Sequence, residues 1–146
     1  MHNRKWTKQR KHLERKEMIM RCNVTVYGLS SRETEESLVS LLRGIQKSVS
    51  KSFHKKGLTP DNVFVFSPYD ILEEDLGEEI VVQIQPICSS GDPTRLELDP
   101  LSKIRLTREV SEIVSSFAVD FCPNCKEVLV FVSPMALGIS RIPWKD

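Results

Sequence analysis

The sequence predicts an α/β (α+β) domain made of two successive β-α-β units, and three observations carry that expectation. Short apolar runs bounded by turn residues alternate with two long stretches whose apolar side chains recur at helical spacing. The run that closes the first unit, NVFVFSP (62–68), is echoed by the run that closes the second, EVLVFVSP (127–134). A chain of 146 residues, 40% apolar and 28% charged, is sized for one core and composed like a folded protein that faces water.

The elements follow in order. CNVTVYGL (22–29) places Val24 and Val26 on one side and ends at Gly28, the pattern of a half-buried strand. Ser30 with Glu33 fits a capping box, and Leu38, Leu41, Leu42, Ile45, Val49 and Phe53 form the apolar stripe of a helix of about 25 residues. Lys55 and Lys56 suit the negative end of that helix, and Gly57 suits the left-handed residue that stops it. NVFVFSP is continuously apolar, which predicts a central strand covered on both faces. An acidic connection, YDILEEDLGEE, leads to IVVQIQPI (80–87), where Ile80, Val82 and Ile84 share a face. A polar stretch containing Gly91, Pro93 and Pro100 precedes a second helix expected from near Thr107, with Val110, Ile113, Val114, Phe117, Ala118 and Phe121 as its stripe. EVLVFVSP is the last strand. The domain is expected over 20–135, with an extended end over 136–146.

The same element order also describes a ferredoxin-like βαββαβ sheet, and order alone leaves both arrangements open. A first helix of some 25 residues is longer than small ferredoxin-like modules use.

Charge is unevenly spread behind a net value of +1. Residues 2–17 hold seven Lys/Arg against two Glu, while residues 18–146 hold fourteen against eighteen. The basic segment 1–19 reads as a solvated, frayed helix, with contact to nucleic acid or an anionic membrane as the alternative. A start at Met18 or Met20 would remove it. No apolar run reaches the roughly 20 residues of a membrane span, and the N-terminus lacks the apolar core of a secretory signal, so a cytoplasmic location is expected.

Four cysteines, Cys22, Cys88, Cys122 and Cys125, are expected as reduced thiols. Cys122-Pro-Asn-Cys125 has the spacing of a metal or redox pair, but it lacks two further ligands for zinc and follows a helix end rather than opening one; an ordinary turn is the leading reading. The acidic run Glu73, Glu74, Asp75, Glu78, Glu79 has no EF-hand spacing and reads as a solvated loop. His54 beside two lysines suits a helix C-terminus without any chemistry. Tyr27 or Phe64 would be the base-stacking residues of an RNA-binding sheet, yet NVFVFSP has no Lys/Arg-Gly-aromatic opening, and the domain is net negative. No metal or cofactor is expected.

Over about residues 20–135 the chain resembles the tautomerase superfamily, the group of 4-oxalocrotonate tautomerase and macrophage migration inhibitory factor. The resemblance rests on VTVYGL behind a methionine, on LTPDNVFVFSPYDILEEDLGEEIVVQI, and on LTREVSEIVSSFAVDFCPNCKEVLVFVSP. It implies two pseudo-repeated β-α-β units and a homo-oligomer, a trimer first of all, with a small carboxylate as ligand. That group works through an N-terminal proline amine with nearby arginines. Here Met20 is followed by Arg21 and Cys22, neither a secondary amine. The resemblance therefore implies a tautomerase-like binding or structural oligomer without proline catalysis. The alternatives are a keto–enol isomerase with another base, for which Arg21, Cys22 and Tyr27 on the first strand are the catalytic candidates, and a ferredoxin-like binding module using the basic tail.

Overall fold

The computed structural model describes residues 21–29, 35–68, 79–88 and 97–136. The Ser30–Glu33 capping box, most of the acidic connection, the basic segment 1–19 and the C-terminal segment 137–146 lie outside the described residues. Strand β1 (Arg21–Tyr27) is followed by helix α1 (Glu35–Ser52), strand β2 (Val63–Phe66), strand β3 (Glu79–Cys88), helix α2 (Pro100–Phe121), strand β4 (Glu127–Val132) and the two-residue β5 (Met135–Ala136).

Strand order decides between the two arrangements the sequence leaves open. The sheet runs β2-β1-β3-β4, with β1 parallel to β2, β3 parallel to β4, and β1 antiparallel to β3 at the centre. Each β-α-β unit therefore pairs its own two strands, as an internal repeat does. A ferredoxin-like sheet interleaves its halves antiparallel, so that alternative falls. β5 prolongs the line of β4 along β3, after Ser133 N–H donates to the Ile84 carbonyl at 2.9 Å. The registers place an approximate two-fold through the Thr25–Gln83 pair. It carries Cys22, Val24 and Val26 onto Ile80, Val82 and Ile84.

Those six side chains are fully buried and form the sheet's side of the core. Both helices cover this face. Leu41, Ile45, Val49 and Phe53 come from α1; Leu106, Val110, Val114 and Phe117 come from α2. Between the helices the Ser48 hydroxyl donates to Glu109 Oε2 at 2.9 Å, which satisfies a buried polar group where the helices touch. Gln46 Nε2 donates to the Pro60 carbonyl at 2.8 Å and to that of Val63 at 3.3 Å, tying the connection to the helix above it.

α1 gives way to a 3-10 turn at His54–Lys56, and Gly57 at φ 93° ends the helical path, as its position in the sequence requires. Two expectations are corrected. α2 begins at Pro100, not near Thr107. Asp99 caps it, accepting from Ser102 N–H at 3.1 Å and from the Ser102 hydroxyl at 2.6 Å, with Pro100 in the first turn where its missing N–H costs nothing. That first stretch is invisible to an apolar pattern because Leu101 and Ile104 face outward. β2 is an edge strand rather than a central one. Val63 faces the helices, but Phe64 and Phe66 are 42% and 48% exposed on the other face. No helix among the described residues is long and apolar enough to cross a membrane.

Candidate functional site

Both helices lie on one face of the sheet, and among the described residues no element covers the other face. Alternation puts Arg21, Asn23, Thr25 and Tyr27 of β1 there, flanked by Phe64 and Phe66 of β2. Beyond them come Val81, Gln83 and Gln85 of β3, then Leu129 and Phe131 of β4. The face is thus polar along its midline and apolar at both borders.

Arg21 opens β1 at one end of this face. It is half-buried, and its Nε donates to Asn23 Oδ1 at 2.8 Å, a contact available because residues two apart share a strand face. The guanidinium carbon lies 4.3 Å from the centre of the Phe64 ring, a cation–π stack from the neighbouring strand. Asn23 and Phe64 are themselves register partners. These two contacts hold the guanidinium plane, and no carboxylate among the described residues pairs with it. A fixed, planar donor fork of this kind suits a carboxylate.

The other two candidates are not brought to Arg21. Cys22 points through the sheet to the helix face and is completely buried. Burial pushes its thiol up from 9.0 to about 12, with a backbone hydrogen bond from Gln85 working in the opposite direction. The thiol therefore stays protonated near neutrality, where a nucleophile or base would need the thiolate. Tyr27 is on the same face as Arg21 but at the far end of β1, about 20 Å away at strand rise, and it is 45% exposed. Of the three positions, only Arg21 lies on the helix-free face at the strand head.

Phe66, Leu129 and Phe131 belong to the bare face and were not singled out from sequence. The signal was present in VFVF and VLVFV, where bulky apolar residues occupy both alternating sets of a strand that turns out to have a helix on one side only. Among the described residues no three His, Cys, Asp or Glu side chains converge as metal ligands. A groove of about 490 Å³ between the end of α1 and the start of α2 gathers Lys51, Lys55, Lys56 and Arg105, but Glu97, Asp99 and Glu109 share it and offset most of their charge.

No family model matches the sequence, and no curated protein matches it. Solved structures do match in fold. The symmetric trimer of the wild-type fused 4-OT called Q0 is 17% identical, with a TM-score of 0.51 over 77% of this chain and 85% of that one. Pt0534 inactivated by 2-oxo-3-pentynoate is 14% identical, with a TM-score of 0.51 over the same shares. The paired β-α-β units, the antiparallel junction between them and these likenesses agree: the chain has the tautomerase-superfamily fold.

Proposed function

We propose that the protein is a tautomerase-like homo-oligomer that binds a small 2-oxo carboxylate at the head of β1 through Arg21, without the proline catalysis of the superfamily. The observation that carries the reading is the fixed guanidinium, stacked on Phe64 and hydrogen-bonded to Asn23, at the opening of the first strand. Support for the ligand class comes from Pt0534, whose inactivator is itself a 2-oxo acid. Support for assembly comes from the trimeric 4-OT neighbour and from the bare sheet face, where Phe64, Phe66 and Phe131 are exposed in the isolated chain. A trimer that buries these faces against one another covers the apolar borders.

The residues at the strand head supply no secondary amine, and the buried Cys22 thiol is held neutral. The role of Arg21 is to hold a ligand's carboxylate and to stabilise negative charge on a neighbouring carbonyl. Binding without fast turnover follows.

The deciding experiment titrates the full chain with phenylpyruvate by calorimetry and follows ketonisation of its enol in parallel. Saturable binding that Arg21→Ala abolishes, with a ketonisation rate at the buffer level, supports the proposal. Absence of binding overturns it. A rate above buffer that disappears in Arg21→Ala replaces it with an isomerase that uses another base.

A further inference from the structure

The end of α2 holds the second chemical feature of the molecule, remote from Arg21 in the other β-α-β unit. α2 stops at Phe121, and Cys122 N–H donates to the Ala118 carbonyl at 2.8 Å as its last helical bond. The chain then reverses in a β-turn, Cys122-Pro123-Asn124-Cys125, closed by Cys125 N–H donating to the Cys122 carbonyl at 3.0 Å. A turn closed this way brings its first and fourth Cα atoms within about 7 Å, overlapping the spacing a disulfide spans.

The two thiols differ in access. Cys122 is 5% exposed and packs into the core, while Cys125 is half-buried, with Sγ 3.5 Å from the Glu127 carbonyl. Both line one open hollow of about 340 Å³ between α2 and the start of β4, with Ser115, Val119 and Lys126 on its walls. A half-buried cysteine three residues from a sheltered one, both lining one hollow, is the arrangement of an attacking and a resolving cysteine.

We infer that Cys122 and Cys125 form a dithiol site that exchanges with low-molecular-weight disulfides of the glutathione type. Cys125, as thiolate, attacks one sulfur of the small disulfide; a mixed disulfide forms and one small thiolate leaves. Cys122, giving its proton to water, then attacks the Cys125 sulfur, and the second small thiolate departs and is protonated. The protein loses two electrons and two protons to form the Cys122–Cys125 bond, and the small disulfide is reduced to two thiols. Cys22 and Cys88, both fully buried under the sheet, take no part. The closed form fixes the end of α2 to the head of β4, which pairs with Glu79 at the opening of β3.

The test incubates the full chain with oxidised glutathione, blocks remaining thiols with iodoacetamide, and maps peptides by mass. The expected result is a cross-linked peptide two hydrogens lighter than the reduced one and containing Cys122 and Cys125, reversed by dithiothreitol, with Cys22 and Cys88 alkylated only after unfolding. Cys122→Ser is expected to stop at a stable glutathione adduct on Cys125, and Cys125→Ser to lose exchange altogether. Full alkylation of both cysteines after glutathione treatment overturns the inference, as does a wild-type chain that accumulates the Cys125 adduct or an interchain disulfide. If either variant fails to fold by circular dichroism, the wild-type peptide map alone decides.

Discussion

Arg21 lies with its guanidinium carbon 4.3 Å over the centre of the Phe64 ring, so the first residue of β1 and the second residue of β2 are locked together across a parallel strand pair. Replacing Phe64 with Leu keeps an apolar side chain and removes the ring face. The expected cost is about 0.5–1 kcal/mol of stability, read as a lower urea midpoint at unchanged slope. The same variant is expected to weaken binding of phenylpyruvate, because Arg21 loses the support that holds its plane. An unchanged midpoint and an unchanged affinity together would remove the stack from the account.

The bare sheet face gives a prediction about size in solution. Phe131 is 51% exposed at one border and Phe66 48% at the other. Phe131→Lys and Phe66→Lys each place a charge in a face that an oligomer would bury, at no cost to the helix-side core. Light scattering after size exclusion is expected to show the native chain as an oligomer and each variant as a monomer with native circular dichroism. A native chain that elutes as a monomer contradicts the assembly.

Gly28 takes φ 93° directly after β1, and a Cβ built there overlaps the backbone carbonyl oxygen of Glu79. The obstacle is backbone, not a flexible side chain. Gly28→Ala is therefore expected to destabilise the fold by at least about 2 kcal/mol, the sum of a left-handed penalty and a displaced strand head. Denaturant titration checks it; a loss below a few tenths of a kcal/mol would show that β3 yields freely.

The Cys22 thiol makes alkaline stability a test of core packing. Its pKa is raised by burial from 9.0 to about 12, so the folded state keeps a proton that the unfolded chain releases first. This contribution is complete below pH 9 and is lost as pH rises towards about 12, with a slope approaching 1.4 kcal/mol per pH unit. Cys22→Ala is expected to lower stability at pH 7 through lost packing, yet to flatten this alkaline slope. A variant whose slope matches the native one between pH 9 and 11 would show that Cys22 is not the group responsible.

Much of the fold can be read in the chain because its two halves obey simple periods. Val24, Val26, Ile80, Val82 and Ile84 alternate as half-buried strands do, and Ile45, Val49, Val110 and Val114 recur as helix stripes do; all are buried as read. The two misreadings have different physical origins. Residues 63–66 carry apolar side chains in both alternating sets, a pattern that a central strand and an edge strand can share, so β2 could not be recognised as an edge. The first turns of α2 depend on the local bonds of Asp99 with Ser102 rather than on burial, and an apolar pattern does not report those. At the candidate site, Arg21 was identifiable from its position behind Met20. Its partner Phe64 lies 43 residues away, and only the parallel register of β1 with β2 brings them together.

The approximate two-fold through Thr25 and Gln83 has a chemical consequence, because the backbone repeats where the side chains do not. It carries Arg21 onto Glu79 and Phe64 onto Leu129. One strand head offers a cation propped on a ring, and its twin offers a carboxylate beside an aliphatic side chain. Within one chain, the duplicated scaffold thus carries two strand heads of opposite charge, a doubled backbone with a single, unduplicated polarity.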